Sequence, residues 1–193
     1  MTTYGSPVLP SVRPAAAEPT LRTERGDDAT AVRAAVLAAF GPDRGEVAEL
    51  ARRLAAEVPG AGRVTELDGT VVGHVRVSRG WLDAPDRLLE VGVLSPLSVR
   101  PEQQGRGIGA ALVAGAVRDT AALGWPLLFL EGSPDYYARQ GFRTAGPMGF
   151  TAPSVRIPAP AFQAVLLPGY DPSMSGALVY PDVFWELDCV GLR

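Results

Sequence analysis

The stretch Leu97-Ser-Val-Arg-Pro-Glu-Gln-Gln-Gly-Arg-Gly-Ile-Gly-Ala-Ala-Leu112 decides how the chain folds and what it can hold. An apolar segment ending at Val99 runs into a loop, and the loop opens into a helix at Gly105-Arg106-Gly107-Ile108-Gly109. The first turn of a helix carries unpaired N–H groups and a partial positive charge. Glycine removes the side chains that would keep an anion away from those donors, so the turn is a phosphate cradle by construction. A nucleotide P-loop would place Gly-Lys-Ser/Thr here, with lysine on phosphate and hydroxyl on magnesium. The chain has no lysine, and all 18 of its basic residues are Arg. A dinucleotide fingerprint needs Gly-x-Gly-x-x-Gly directly after a strand. Here glycines alternate at 105, 107 and 109, Leu112 stands where the third glycine would fall in the frame that begins at Gly107, and the loop separates Val99 from Gly105. Both readings fail on specific positions, and an ordinary tight turn without ligand stays open beside a cradle of another kind.

Gln104-Gly105-Arg106-Gly107-Ile108-Gly109 matches the Gln/Arg-x-x-Gly-x-Gly/Ala signature of the GNAT family of acyl-CoA-dependent N-acyltransferases, which the chain resembles. A second stretch strengthens the likeness. Asp135-Tyr136-Tyr137-Ala138-Arg139-Gln140-Gly141-Phe142 is similar to the family's Tyr-x-x-x-Gly-Phe ending, where a short helix runs into the next strand. The wording Ser133-Pro134-Asp135-Tyr136-Tyr137 and the segment Phe162–Leu167 look most like a bacterial subgroup of predicted acetyltransferases. The resemblance runs over roughly Thr20–Leu187 in element order, with both specific motifs inside Leu97–Phe142.

The resemblance implies acetyl-CoA as co-substrate, with no metal, and a primary amine of a small molecule or peptide as acceptor. Coenzyme A pyrophosphate would lie on Gln104, Gly105, Arg106, Gly107, Ile108, Gly109 and Ala110, and the pantetheine arm along Leu97, Ser98 and Val99. The amine would attack the thioester directly, through a tetrahedral intermediate whose oxyanion needs backbone donors. Tyr137, four residues before Gly141, occupies the place where family members often carry the acid that protonates the departing thiolate. A tyrosine of pKa about 10 suits that task. A packed aromatic with a satisfied hydroxyl is its bland alternative. Glu90 is the candidate base, since a carboxylate partly buried in a cleft has its pKa raised. A salt-bridged strand-end glutamate is equally compatible, and Glu131 has similar standing. His74 reads as a hydrogen-bonded surface histidine, and the backbone of Arg106 as worth more than its charge.

The rest of the chain bounds these readings. Its 193 residues suffice for one ordinary domain, and 47% hydrophobic with 20% charged residues is a globular composition. A net charge of −3 gives no general attraction to nucleic acid or anionic membrane. The single Cys189 excludes an internal disulfide framework and a cysteine zinc site. No signal-peptide pattern precedes the first element, and the apolar runs fall far short of the ~20 residues a membrane span needs. These features point to a cytoplasmic protein.

Pro7, Pro10, Pro14 and Pro19 among Ala, Ser and Thr make residues 1–19 an expected flexible arm, leaving 20–193 as the acyltransferase domain. Thr20–Arg25 reads as a strand. Asp27 or Asp28 then caps a helix bearing Ala29, Val32, Val36 and Phe40, and Val47–Val58 repeats the helical spacing. Arg63–Leu67 and Thr70–Ser78 flank Asp68-Gly69, a hairpin dipeptide. Leu88–Val99 is a further strand whose Pro96 lacks the ladder donor, so a bulge or splay is expected there. A helix over Gly107–Leu123, a buried strand Pro126–Leu130, a short helix Ser133–Gln140, a strand from Phe142, and strands Phe162–Leu167 and Ala177–Leu187 complete the order. The expected fold is mixed α/β: a mostly antiparallel sheet splayed at its fourth strand and flanked by helices. The apolar tail Val179–Leu192, with Phe184 and Trp185, reads as core or as the face of a homodimer. Two other functions stay compatible: an acyl-CoA-binding module without chemistry, and an interaction domain whose glycine turn holds nothing.

Overall fold

Residues 18–191 are described in a computed structural model, which opens with strand β1 (Thr20–Thr23) and helices α1 (Ala29–Phe40) and α2 (Gly45–Glu57). The arm read over residues 1–19 lies outside the described residues as far as position 17. Buried positions of α2 (Val47, Leu50, Ala51, Leu54) recur every three or four residues, which is one stripe of a helix. Asp28 stands at the start of α1 but makes no side-chain cap. Its carboxylate accepts bonds from both terminal nitrogens of Arg22, at 2.7 and 2.8 Å, and from the Arg25 N–H at 2.7 Å. The bidentate guanidinium competes better for those oxygens than a neutral amide.

Strands β2 (Gly60–Leu67), β3 (Thr70–Asp83) and β4 (Leu88–Val99) form an antiparallel meander. Asp68 and Gly69, at φ 49° and 72°, make the two-residue turn whose twist matches the flanking strands. β3 runs five residues beyond the expected Ser78, because Trp81–Asp83 pairs with a late strand, a partner invisible to local alternation. Next come α3 (Ile108–Ala122), β5 (Leu127–Glu131), α4 (Pro134–Tyr137) with a 3-10 turn over Ala138–Gln140, and the two-residue strands β6 (Arg143–Thr144) and β7 (Phe150–Thr151). β8 (Phe162–Leu166), β9 (Gly176–Val179) and α5 (Asp182–Glu186) close the described chain. The expected strand over Ala177–Leu187 therefore holds only as far as Val179. Pro181 lacks a ladder donor and its fixed φ suits a helix start, so α5 follows.

The sheet order is β1-β2-β3-β4-β5-β8-β6, with β9 joined to the far end of β3 and to β7. Every pairing is antiparallel except β4 with β5 and β7 with β9. Val91 and Val93 pack with Leu50 and Leu54 of α2, whereas a Cβ at the intervening Gly92 would meet Thr120 of α3. Helices thus cover both faces. Phe184 is buried in the α2-side core, while Trp185 is exposed. No helix among the described residues is long and apolar enough to cross a membrane.

The decisive irregularity is at β4. Its ladder with β5 has two register pairs, Gly92 with Leu128 and Val93 with Phe129, after which the parallel strands part. On its other edge the register with β3 slips between Val75 and Val77, opposite Leu94–Leu97. The sheet is splayed at the fourth strand, beside Pro96, as the missing ladder donor there requires.

Candidate active site

The loop after β4 makes one 3-10 turn, Pro101–Gln103, and reaches α3 through two glycines in the left-handed region, Gly105 at φ 74° and Gly107 at 81°. The Gln104 amide donates to Val99 O at 3.0 Å and ties the loop to the strand end. Arg106 donates to Gln103 Oε1 and stays on the exposed side of the loop. Gly107 is the N-cap of α3, so the N–H groups of its first turn have no intrahelical acceptor. They face a cleft of about 440 Å³. Of the residues expected to hold coenzyme A, Leu97, Val99, Gln104, Gly105, Gly107, Ile108, Gly109 and Ala110 line this cleft. Ser98 and Arg106 do not. Alternation along β4 turns the Ser98 side chain to the opposite face, where it is buried across from His74.

Tyr136 also lines the cleft, a residue that sequence reasoning passed over. A Cβ at Gly109 would overlap its hydroxyl, so this glycine lets the phenol reach the helix N-terminus. Adjacent helical residues point about 100° apart, and the two tyrosines accordingly serve different cavities. Their rings meet edge to face at 4.9 Å.

Tyr137 lines a second cleft, of about 360 Å³, between the parted ends of β4 and β5. Leu94–Leu97 forms one wall and Glu131–Ser133 the other, with Phe40, Arg44, Val47 and Leu50 contributed from α1 and α2. Tyr180, Phe184 and Asp188 close it from the C-terminal side. Leu97 borders both clefts, so they meet where β4 leaves β5. Gly132 gives room for the Tyr137 ring, since a Cβ there would overlap it. The ring packs against Phe142 at 5.7 Å, and Gly141, at φ 87°, ends the turn that sets this spacing. Burial pushes the Tyr137 phenol well above its ordinary value, with Tyr136 adding to the shift, so its proton is held at neutral pH.

Glu131 ends β5 inside the second cleft. Tyr180 Oη donates to its Oε1 at 2.9 Å and the Gly191 N–H to its Oε2 at 3.0 Å. Burial raises its carboxyl above the usual carboxylate range, and these two bonds oppose that rise only in part. Glu90 lies elsewhere. It precedes the β4–β5 pairing, is bound by Arg79 at 3.1 Å and by the Trp125 indole N–H at 3.2 Å, and is 44% exposed. It borders neither cleft, because the strands part at the C-terminal end of β4 and Glu90 is near its start. His74, expected at the surface, is fully buried instead. Its Nε2 lies 3.4 Å from Glu24 Oε2, which also accepts from Arg76 at 3.3 Å. None of the three borders the cleft that holds Tyr137.

A family model described as an acetyltransferase (GNAT) domain matches residues 61–144, from β2 through β6, and so contains both motifs. The uncharacterised N-acetyltransferase YjhQ of Escherichia coli strain K12 is 33% identical over 100 residues, 49% of this chain and 53% of that protein. The match thus spans about half the length of this curated relative. Among solved structures, the GNAT family N-acetyltransferase YhbS from Escherichia coli in complex with CoA superposes with a TM-score of 0.78 at 25% identity, over 90% of this chain and 94% of that one. A GNAT family acetyltransferase from Brucella melitensis in complex with acetyl-CoA gives 0.69 at 28% identity, over 86% and 98% of the two chains. The splayed sheet and the glycine turn agree with that domain model and with these relatives: residues 61–144 match a GNAT acetyltransferase domain, and the described chain has the fold of GNAT structures.

Proposed function

We propose that the protein is an acyl-CoA-dependent N-acyltransferase that moves an acetyl group from acetyl-CoA to a primary amine. The observation that carries this reading is the junction at Leu97, where a glycine cradle at a helix N-terminus opens onto a second cleft holding a buried tyrosine and a half-buried carboxylate. The two solved relatives complexed with CoA and acetyl-CoA support the choice of co-substrate. The cradle fits a pyrophosphate, since a Cβ at Gly105 or Gly107 would demand a strained backbone and one at Gly109 would displace Tyr136.

In this account the first-turn N–H groups of α3 hold the pyrophosphate, with the Tyr136 hydroxyl beside them. The edge of β4 beyond Leu94, which β5 leaves unpaired, offers backbone groups to the pantetheine amides as an added strand would. Acetyl-CoA supplies the activated acyl thioester. Backbone N–H groups of the parted β4 are available where negative charge develops on the thioester oxygen. Glu131 takes the proton released as the amine nitrogen bonds to the carbonyl carbon. Tyr137 gives its hydroxyl proton to the sulfur as the C–S bond breaks.

The test is release of free thiol from acetyl-CoA in the presence of a panel of amines. Tyr137→Phe should lower turnover by about tenfold or more while leaving CoA affinity nearly unchanged. A large loss of affinity would make Tyr137 a binding residue. CoA binding without thiol release from any amine would favour a non-catalytic acyl-CoA-binding module.

A further inference from the structure

We infer that the acceptor is a compact monoamine with an aromatic or branched apolar body and no anionic group, an inference that rests on the acyltransferase reading above. Size is the first constraint. The cleft beside Tyr137 holds about 360 Å³, at the low end of the ~300–1,000 Å³ typical of small-molecule sites. Part of that space must also admit the acyl group, which favours an acceptor whose amine end is compact.

The lining sets the second constraint. Phe40, Val47, Leu50, Leu94 and Phe184 present apolar surface to the cleft. Phe40 is 43% exposed at the end of α1, an aromatic left open to water at a cavity mouth. An apolar body seated there removes that surface from solvent.

Charge is the third. Of the charged groups lining the cleft, Arg44 is paired with Glu46 at 2.5 Å and Asp188 with Arg156 at 2.5 Å, whereas Glu131 is held by the neutral donors Tyr180 and Gly191. The balance suits one ammonium. Glu131 is held in place by Tyr180 and Gly191, and each carboxylate oxygen keeps a lone pair to accept an ammonium N–H. Inside the cleft a second ammonium on a polyamine would meet the buried Val47, Leu50 and Leu94 in place of another carboxylate held only by neutral donors, and lose its hydration uncompensated. An amino-acid carboxylate would stand beside Glu131 and be repelled by it.

The experiment compares phenethylamine, spermidine and phenylalanine at saturating acetyl-CoA, with acetyl-CoA binding measured separately by calorimetry. Phenethylamine should exceed both others in kcat/KM by about tenfold or more, the discrimination that apolar and polar complementarity provide. Phe40→Ala should raise the KM for phenethylamine about threefold to tenfold with kcat held and the acetyl-CoA Kd unchanged. As Phe40 is half exposed, the variant keeps its fold, which thermal unfolding checks. Equal or better use of spermidine or phenylalanine would overturn the inference, as would an unchanged KM in Phe40→Ala. Acetyl-CoA binding with none of the three amines consumed would overturn it while leaving the CoA site intact. Failure to bind acetyl-CoA would bring down the acyltransferase reading as well.

Discussion

Tyr136 and Tyr137 are neighbours in sequence, yet one borders the glycine cradle and the other the second cleft. Glu131 and Glu90 differ in the same way: both are strand-end carboxylates, and only the first is enclosed. Burial raises the Glu131 pKa, and the sign has two consequences. As a base it works ionised, so kcat/KM should fall as pH drops through the raised value, with the acid limb above the ~4.3 of a free glutamate. For the fold, a carboxyl whose native pKa exceeds its unfolded one adds stability below the unfolded value and loses it as pH rises through the native one. Glu131→Gln should remove the acid limb and lower kcat/KM by about a hundredfold. Glu90→Gln, held between Arg79 and Trp125 outside both clefts, should leave the profile in place. A pH–rate series on the three proteins distinguishes these outcomes, and an acid limb that survives in Glu131→Gln assigns the base elsewhere.

At the scale of elements, the cradle depends on a backbone that only glycine adopts cheaply. Gly107 caps α3 at φ 81°, where an L side chain costs roughly 1–2 kcal/mol. Gly107→Ala should either strain or turn the first N–H groups, weakening acetyl-CoA binding about tenfold in calorimetry with only a small loss of Tm. Such local features are readable from the sequence: the Asp68-Gly69 turn and the cradle each follow from the chemistry of a few consecutive residues. What depended on distant partners was not. Glu90 sits on the expected strand, but nothing in Leu88–Val99 says that β5 runs along its first half and leaves its second. His74 alternates like a half-exposed residue, and its burial rests on Glu24, fifty residues away. The helix at Asp182 reads as strand because Val183 and Phe184 suit either; Pro181 ends the ladder, and packing with α2 in one core accompanies the helix.

At the scale of the whole molecule, α1 and α2, the splay of β4 and the segment after β9 all contribute to one cleft, so the site needs the fold to assemble as a unit. Residues 20–193 are accordingly our proposed acyltransferase domain. A chain beginning at Glu18 should bind acetyl-CoA with the affinity of the full protein and unfold at a similar Tm. A clear loss of either would give the first seventeen residues a part in the site. Titration of the intact protein with acetyl-CoA in a calorimeter should give saturable one-to-one binding that weakens in Gly107→Ala; no binding at millimolar acetyl-CoA would contradict the acyltransferase reading.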